Sequence, residues 1–285
     1  YFFERNNLGF IGKDVNPEDI EIIFLGGSTG EESLIPPQYR IVDQINLAFE
    51  ADNSDFKIIN ASRAGKSTRG YVNDFIYWFP KIEKFKPKIV IFYTGLNDAV
   101  LGLPGHFDEI EKSNLVDRLE DYIKNNSIIY SFKKKIQNKY FNPIRKYYGL
   151  VWEDLYSEYE FINYDKAVNI YSDIKINEEQ VNIINNFKKN LNNLNKIIND
   201  NQFIPVFITQ VQYDGLGDPN LFLVNENLKE FCLKYDYSII KLDELVNDFD
   251  KSDFYDPVHT TINGSTKISK IIYPELKQLL INLLN

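Results

Sequence analysis

Ser28 stands where an apolar run ends, and this position could make it a nucleophile. The run Ile22–Leu25 is followed by Gly26 and Gly27, and the serine comes next. Apolar residues bounded by turn residues are typical of a strand that is buried on both faces. Open α/β sheets bind their ligands at the carboxyl ends of such strands. A serine hydroxyl is a weak nucleophile, so the chain must also supply a base, a group that orients the base, and an oxyanion hole.

His259 is the candidate base, because a carboxylate precedes it at a useful spacing. In the segment Asp256–His259 the aspartate stands three residues before the histidine. A turn of that length lets the carboxylate accept the imidazole Nδ1–H, which leaves Nε2 free to take a proton from Ser28. The other histidine, His106, has no carboxylate upstream at a similar spacing. Taken alone, the segment is equally typical of a surface loop in which a histidine neighbours a helix-capping residue.

Gly65 and Asn97 are the candidate donors of an oxyanion hole, together with the backbone N–H of Ser28. Gly65 follows the second apolar strand, and without a Cβ its N–H can approach a ligand closely. Asn97 follows the third strand, and its side-chain amide can donate to a negatively charged oxygen. Taken alone, the segment Gly95–Asp98 is more typical of an ordinary turn, since Gly, Asn and Asp are common turn residues.

Short apolar strands alternate with amphipathic helices through most of the chain, which predicts an α/β fold with a parallel sheet covered on both faces. The predicted strands are Glu21–Gly26, Phe56–Asn60, Lys88–Thr94, Phe203–Gln210 and Tyr237–Leu242. Helices are predicted from Pro36 to Phe49 and over Tyr71–Phe85, Glu178–Asp200, Leu221–Tyr235 and Ile262–Leu284. In such a sheet the loops that carry Ser28, Gly65, Asn97 and His259 all open at the same edge, so four separate segments converge there.

The stretch 99–177 interrupts this alternation, and we expect a helical insertion there, beside the site and within a single domain that covers 1–285. It is rich in Tyr, Phe, Lys and Asn, and helices are predicted over Ile110–Ile123, Ile128–Lys139 and Ile144–Tyr156. The basic and aromatic segment Lys133–Tyr148 is more typical of a solvated helical face than of a surface for anionic glycans or lipid head groups.

Four short blocks, in this order, resemble the SGNH (GDSL-like) hydrolases over most of the chain. The blocks are Gly27–Ser28, Gly65, Gly95–Asp98 and Asp256–His259. The first block departs from the eponymous Gly-Asp-Ser, because Gly27 replaces the aspartate. This variant is similar to a subset of the family.

The resemblance implies a flavodoxin-like α/β/α sandwich and an acyl-enzyme mechanism. It assigns a catalytic triad to Ser28, His259 and Asp256. It assigns the oxyanion hole to Ser28, Gly65 and Asn97. No metal or organic cofactor is expected for such chemistry.

A second motif, Gly65–Thr68, resembles the end of a phosphate-binding P-loop. The full pattern requires a glycine five residues before Gly65, and Asn60 stands there instead. A nucleotide-binding interpretation also leaves Asp256 and His259 unexplained, so we favour the hydrolase. The glycines around Ser28 likewise lack the spacing of a dinucleotide-binding motif.

The composition argues against several kinds of partner and of binding site. Its 285 residues carry a net charge of −9, which argues against a nucleic-acid partner. The single cysteine, Cys232, excludes an internal disulfide and zinc sites built from cysteine pairs. No apolar run in the sequence has the length of a membrane span. The chain begins at Tyr1 and lacks methionine, so we expect a mature or trimmed soluble form, extracytoplasmic if a signal or anchor has been removed.

The expected activity is that of a serine esterase acting on an acyl ester, acetyl first of all, of a carbohydrate or similar small molecule. Two alternatives stay open. An O-acyltransferase would form the same acyl-enzyme and pass the acyl group to a sugar hydroxyl. A non-catalytic relative would bind a glycan or a partner protein without reacting.

Overall fold

The computed structural model describes residues 3–99, 160–247 and 249–284. The three helices predicted between residues 110 and 156 lie outside the described residues, as do Lys133–Tyr148 and His106. Within the described ranges, no helix is both long enough and apolar enough to cross a membrane.

Five parallel strands form one sheet: β1 (Ile22–Gly26), β2 (Ile58–Asn60), β3 (Ile89–Tyr93), β4 (Ile204–Ile208) and β5 (Ser238–Ile240). Their order in the sheet is β2-β1-β3-β4-β5. Ile22 of β1 pairs with Ile58 of β2 on one side and with Ile89 of β3 on the other. The remaining neighbours, β3 with β4 and β4 with β5, are also parallel. The predicted parallel sheet is confirmed, and its strand order is the flavodoxin-like one.

The central strands are apolar throughout because their side chains alternate between two cores. In β1, Ile23 and Leu25 belong to the core on one face of the sheet, and Ile22 and Phe24 belong to the core on the other face. Every residue of β1 and β3 is buried. Continuous apolar runs are the pattern expected of strands that have helices on both sides.

Helices cover both faces of the sheet and give three layers. The α-helices of the described residues are α1 (Ser28–Glu31), α2 (Ile41–Ala51), α3 (Thr68–Asn73), α4 (Leu96–Ala99), α5 (Tyr164–Tyr171), α6 (Glu178–Asn201), α7 (Pro219–Tyr235), α8 (Leu242–Leu245) and α9 (Ile262–Leu284). On one face of the sheet lie α3, α6 and α7, which contribute Tyr71, Leu191 and Leu228 to the core. On the other face lie α2 and α9, which contribute Phe49 and Ile272.

The predicted helix Tyr71–Phe85 is wrong in its bounds and its regularity. It begins earlier, at Thr68, because the Ser67 side chain caps α3 by accepting an N–H of its first turn. After α3 the chain forms a π-helical turn, Asp74–Trp78, and then a 3-10 turn that contains Pro80 and ends at Lys81. Pro80 has no N–H to donate to a helical ladder, which disfavours a regular helix at this point.

Another helix prediction differs in its starting residue. The helix predicted from Pro36 begins at Ile41 instead, after a 3-10 turn over Pro37–Tyr39. By contrast, α9 has the predicted bounds, Ile262–Leu284, and contains Pro274.

Residues 160–177, at the end of the predicted insertion, pack on the main core. Ala167 of α5 is fully buried in the same core as Leu191 and Leu221. The preceding Ile162 donates its N–H to the carbonyl of Asp214 at 2.9 Å, in the loop that follows β4. These contacts join the chain around α5 to the loops at the carboxyl edge of the sheet.

The strand order places a topological switch point at this carboxyl edge. Although β1 and β3 are neighbours, the chain leaves β1 toward β2 on one side, whereas it leaves β3 toward β4 on the other. Ligands bind where neighbouring connections diverge in this way. Ser28 follows β1 almost directly, and Asn97 follows β3, so both residues lie at this switch point.

Candidate active site

Ser28, His259 and Asp256 form one continuous chain of hydrogen bonds. The Ser28 Oγ lies 2.7 Å from Nε2 of His259. The other ring nitrogen, Nδ1, lies 2.6 Å from Oδ2 of Asp256. The structure therefore brings together all three residues that the sequence singles out as nucleophile, base and orienting carboxylate.

A tight local turn explains how Asp256 reaches the imidazole. Its Oδ1 accepts the backbone N–H groups of Val258 at 2.9 Å and of His259 at 2.7 Å. This use of one oxygen leaves Oδ2 free for the ring. The turn is closed by the N–H of Tyr255, which donates to the carbonyl of His259 at 3.0 Å. Aspartate suits such a turn because its short side chain can bond the backbone two or three residues ahead.

The electrostatics keep Asp256 ionised. Burial alone would raise the pKa of this carboxyl, but the hydrogen bond and charge of His259, with the two backbone N–H groups, outweigh burial and lower the pKa below its ordinary value. An ionised carboxylate can only accept, so Nδ1 of His259 must carry the hydrogen. In the neutral imidazole Nε2 is then the acceptor, and it faces the Ser28 hydroxyl.

The ring of Tyr255 lies parallel to the imidazole. The planes of Tyr255 and His259 differ by 7°, and their centroids are 5.6 Å apart, an offset-stacked arrangement. This contact and the bond to Asp256 both restrict rotation of the imidazole.

Asn97, the second residue of α4, places its side-chain amide next to the turn that carries Gly27 and Ser28. Its Nδ2 donates to the carbonyl oxygen of Lys66 at 2.6 Å, which leaves the second hydrogen of the same nitrogen for another acceptor. A Cβ built on Gly27 would overlap this nitrogen and would lie 3.0 Å from the Lys66 oxygen. Only glycine at position 27 therefore allows Asn97 to approach the turn this closely.

Gly65 lies in the loop that Asn97 contacts. Its φ is +77°, a left-handed conformation that favours glycine. The next residue, Lys66, provides the carbonyl that Asn97 bonds and that lies beside Gly27. The structure thus places the loops of Ser28, Gly65 and Asn97 in contact, as the sequence predicts for an oxyanion hole.

Two adjacent glutamates, which belong to none of the sequence motifs, connect the helix that carries Ser28 to its neighbours. Glu31, the last residue of α1, accepts the N–H of Ala64 at 2.7 Å and forms an ion pair with Arg5. It links α1 to the loop that carries Gly65. Glu31 and Glu32 stand three and four residues after Ser28. Their burial results from contacts with residues distant in the sequence, which no local pattern predicts.

Glu32 links α1 to the other side of the site. It accepts the N–H of Ile41 at 2.6 Å, at the start of α2, and the hydroxyl of Ser265 on α9. Thr260, which follows His259, hydrogen-bonds the same Ser265 hydroxyl at 2.8 Å. Burial raises the pKa of Glu32 to about 8, so the side chain is mainly a neutral acid at pH 7.

The polar side chains of the motif Gly65–Thr68 contact other residues of the protein. Lys66 forms an ion pair with Asp74 and lies over the Trp78 ring. The hydroxyl of Ser67, the residue directly after the lysine, accepts the N–H of Arg69 at 3.2 Å and so caps α3. The lysine and the hydroxyl that would hold phosphate and magnesium in a P-loop are thus committed elsewhere, which argues against nucleotide binding here.

Comparison with known proteins identifies the fold. No family model and no curated protein matches this chain at the sequence level. Among solved structures, TesA shares 10% identity with a TM-score of 0.53, over 91% of this chain and 99% of TesA. A protein assigned to the lipolytic G-D-S-L family from Desulfitobacterium hafniense DCB-2 shares 8% identity with a TM-score of 0.50, over 90% and 99% of the two chains. This chain has the SGNH (GDSL) hydrolase fold.

A third structure with this fold is LAE5, an alpha/beta hydrolase enzyme from the metagenome of Lake Arreo, Spain. It shares 10% identity with a TM-score of 0.50, over 89% of this chain and 93% of LAE5. The resemblance inferred from the sequence blocks is thereby confirmed at the level of the fold. Within the SGNH fold, the contact between Asn97 and Gly27 gives a physical reason for the glycine in place of the eponymous aspartate.

Proposed function

We propose that the protein is a serine ester hydrolase that works through an acyl-enzyme. The observation that carries this proposal is the hydrogen-bonded series from Asp256 through His259 to the Ser28 hydroxyl, with distances of 2.6 and 2.7 Å. Such a series provides a nucleophile, a base and an orienting group in the relative positions that acyl transfer requires.

Acylation begins when the Ser28 oxygen attacks the ester carbonyl carbon and His259 Nε2 takes the hydroxyl proton. The imidazolium that forms is stabilised by the charge of Asp256, which itself stays ionised. The carbonyl oxygen becomes an oxyanion, held by the N–H groups of Ser28 and Gly65 and by the Asn97 amide. The tetrahedral intermediate then collapses. The carbon–oxygen bond to the alcohol breaks, and His259 gives its proton to the departing oxygen.

Deacylation repeats these steps with water. His259 takes a proton from a water molecule as the water oxygen attacks the acyl carbon on Ser28. The second tetrahedral intermediate expels the serine oxygen, which recovers a proton from the imidazolium. The products are a carboxylic acid and the free enzyme, and each proton that His259 accepts is returned within the same half-reaction.

The proposed substrate is an acetyl ester of a carbohydrate hydroxyl or of a similar small alcohol. The net charge of −9 supports a neutral substrate over a polyanionic one, because a strongly acidic protein repels anions at long range. The sequence resemblance to SGNH esterases supports the ester bond as the site of attack.

Product analysis on acetylated xylo-oligosaccharides and p-nitrophenyl acetate tests this proposal. The enzyme should release acetate, and Ser28→Ala should lose the release entirely. A p-nitrophenyl ester series from acetyl to octanoyl should be cleaved fastest at acetyl. Acetate that appears on an added sugar instead of in solution would favour the O-acyltransferase. Glycan binding with neither release nor transfer would favour the non-catalytic relative.

A further inference from the structure

Gln210 hydrogen-bonds both sides of the candidate active site. It follows β4, and none of the four sequence blocks that resemble the SGNH hydrolases follows this strand. It lies two residues beyond the end of β4 and is 2% exposed. We propose that Gln210 is a positioning residue, whose side-chain amide sets the spacing between the Ser28 nucleophile and the Asn97 oxyanion donor. This inference rests on the esterase function proposed above.

The contacts of the amide lie next to both residues. Its Nε2 donates to the hydroxyl of Thr29 at 2.8 Å, and Thr29 directly follows Ser28. Its Oε1 accepts the backbone N–H of Leu96 at 2.8 Å, and Leu96 directly precedes Asn97. One planar group therefore spans from α1 to α4, and its rigid shape transmits any displacement of one helix to the other.

The chemistry of the partners fixes the orientation of the amide. The N–H of Leu96 can only donate, so it must face the oxygen and not the nitrogen of Gln210. The NH₂ group is then directed at the hydroxyl of Thr29. Every polar atom of the amide is used, so the side chain has a single satisfied arrangement.

The backbone of Gln210 is held independently of the site. Asn225 on α7 is fully buried, and its Nδ2 donates to the Gln210 carbonyl at 2.8 Å. The Oδ1 of Asn225 faces the Gln210 N–H at 3.5 Å. Because α7 supports the backbone from outside the catalytic loops, Gln210 can act as a fixed reference point for both α1 and α4.

The spacing that Gln210 sets matters more in the transition state than in the ground state. Oxyanion donors act only when they lie about 2.7–3.1 Å from the position of the developing charge. A misplacement of about 1 Å can cost roughly 10²-fold in rate. Loss of the amide should therefore lower kcat and leave KM nearly unchanged.

Steady-state kinetics on Gln210→Leu and Thr29→Val test the proposal, together with the double variant. Gln210→Leu should lower kcat about 10- to 100-fold with KM within about twofold. Thr29→Val, which removes one contact without changing the sheet core, should lower kcat by less, and the double variant should be no worse than Gln210→Leu. Thr29→Ser, which keeps the hydroxyl, should restore kcat.

Thr209→Val is the matched control. Thr209 is the neighbour of Gln210, is fully buried, and donates its hydroxyl to Asp243 at 2.6 Å, away from the Ser28 and Asn97 loops. It should lose thermal stability and retain kcat. If Gln210→Leu does not fold, Thr29→Val against Thr29→Ser still measures the link.

Three outcomes would overturn the proposal. The first is a kcat of Gln210→Leu or of Thr29→Val within twofold of the wild type. The second is an equal loss of kcat in Thr209→Val, which would show a general effect of destabilisation. In both cases wild-type hydrolysis through Ser28 would stand, so only the role of Gln210 would fail. The third is a wild-type Ser28 that does not react at all, which would overturn the esterase proposal and this inference together.

Discussion

The amide nitrogen of Asn97 occupies the space that a β-carbon on Gly27 would need. The same β-carbon would lie 3.0 Å from the carbonyl oxygen of Lys66, which Asn97 bonds. Gly27, which precedes the candidate nucleophile, and Asn97, the candidate oxyanion donor, are therefore coupled sterically. A larger residue at one position must displace the other.

We expect Gly27→Ala to lower kcat by about 10²-fold, because the new methyl group displaces the Asn97 amide from the oxyanion position. Gly27→Asp, which recreates the eponymous Gly-Asp-Ser, should be at least as damaging in this chain. Steady-state hydrolysis of p-nitrophenyl acetate measures both effects. Activity of Gly27→Asp equal to that of the wild type would show that the loop moves to accept the larger side chain. The contact between residue 27 and Asn97 would then have no effect on catalysis.

The double variant Gly27→Ala/Asn97→Ala separates the clash from the loss of the donor. Removing the Asn97 side chain relieves the overlap, so the double variant should unfold at a higher temperature than Gly27→Ala alone. Its kcat should stay as low as that of Asn97→Ala. Additive losses of both stability and kcat would mean that the two residues act independently.

Asn97→Ala should lower kcat about 10²- to 10³-fold and change KM little, since an oxyanion donor acts mainly in the transition state. Asn97→Asp is the sharper test. It keeps the size of the side chain but replaces the donor by an acceptor, so its kcat should be no higher than that of Asn97→Ala. A large rise in KM with unchanged kcat would instead assign Asn97 to substrate binding.

Asp256→Asn should lower kcat by roughly 10³- to 10⁴-fold. The amide oxygen can still accept the N–H groups of Val258 and His259, so the turn should survive. The NH₂ group would then face Nδ1, which would force the hydrogen onto Nε2 and leave Ser28 without a base. Asp253→Asn is the control in the same loop, because Asp253 is buried and pairs with Lys267 instead of the imidazole. A similar loss in both variants would point to the fold of the loop and not to the tautomer.

Glu32→Gln should change the pH dependence of stability. The folded protein holds the Glu32 proton up to a pKa of about 8, whereas the unfolded chain releases it near the ordinary value of 4.5. Between these values the folded state binds more protons than the unfolded state, so the free energy of unfolding falls as the pH rises. Glutamine has no proton to lose and resembles the neutral acid, so this slope should disappear.

Urea denaturation from pH 5 to pH 8 measures this effect. The free energy of unfolding of Glu32→Gln should exceed that of the wild type by an amount that grows with pH, to the order of a few kcal/mol. The charged groups facing Glu32 are Arg40 and Asp43, and both are unchanged in the variant. Parallel pH curves for the two proteins would show that Glu32 releases its proton at the same pH in both states.

The sheet could be predicted from the sequence because its strands are short, mainly apolar and bounded by turn residues. Helix bounds were harder where local preference and tertiary contacts compete. The aromatic run before Pro80 has helical spacing, yet the chain there forms a π turn and a 3-10 turn while Trp78 and Phe79 pack on Phe10. Local propensity alone does not contain those contacts.

The candidate triad could be predicted because Asp256 and His259 are neighbours in sequence and Ser28 follows a recognisable strand. The supporting residues could not. Gln210 meets Thr29 across 181 positions, and Glu32 meets Ser265 across 233. The rule that functional groups gather at strand carboxyl ends applied equally to β4 and would have drawn attention to Gln210. No rule of local pattern would have found Glu31 or Glu32.

Labelling with a fluorophosphonate, with the adduct located by peptide mass spectrometry, tests the central claim most directly. We predict one adduct, on Ser28, whose formation is lost in Ser28→Ala and slowed about 10³-fold or more in His259→Ala. Circular dichroism on each variant checks that the fold is intact. A folded wild-type protein that forms no adduct, or a Ser28 that reacts equally fast without His259, would contradict an activated serine at this site.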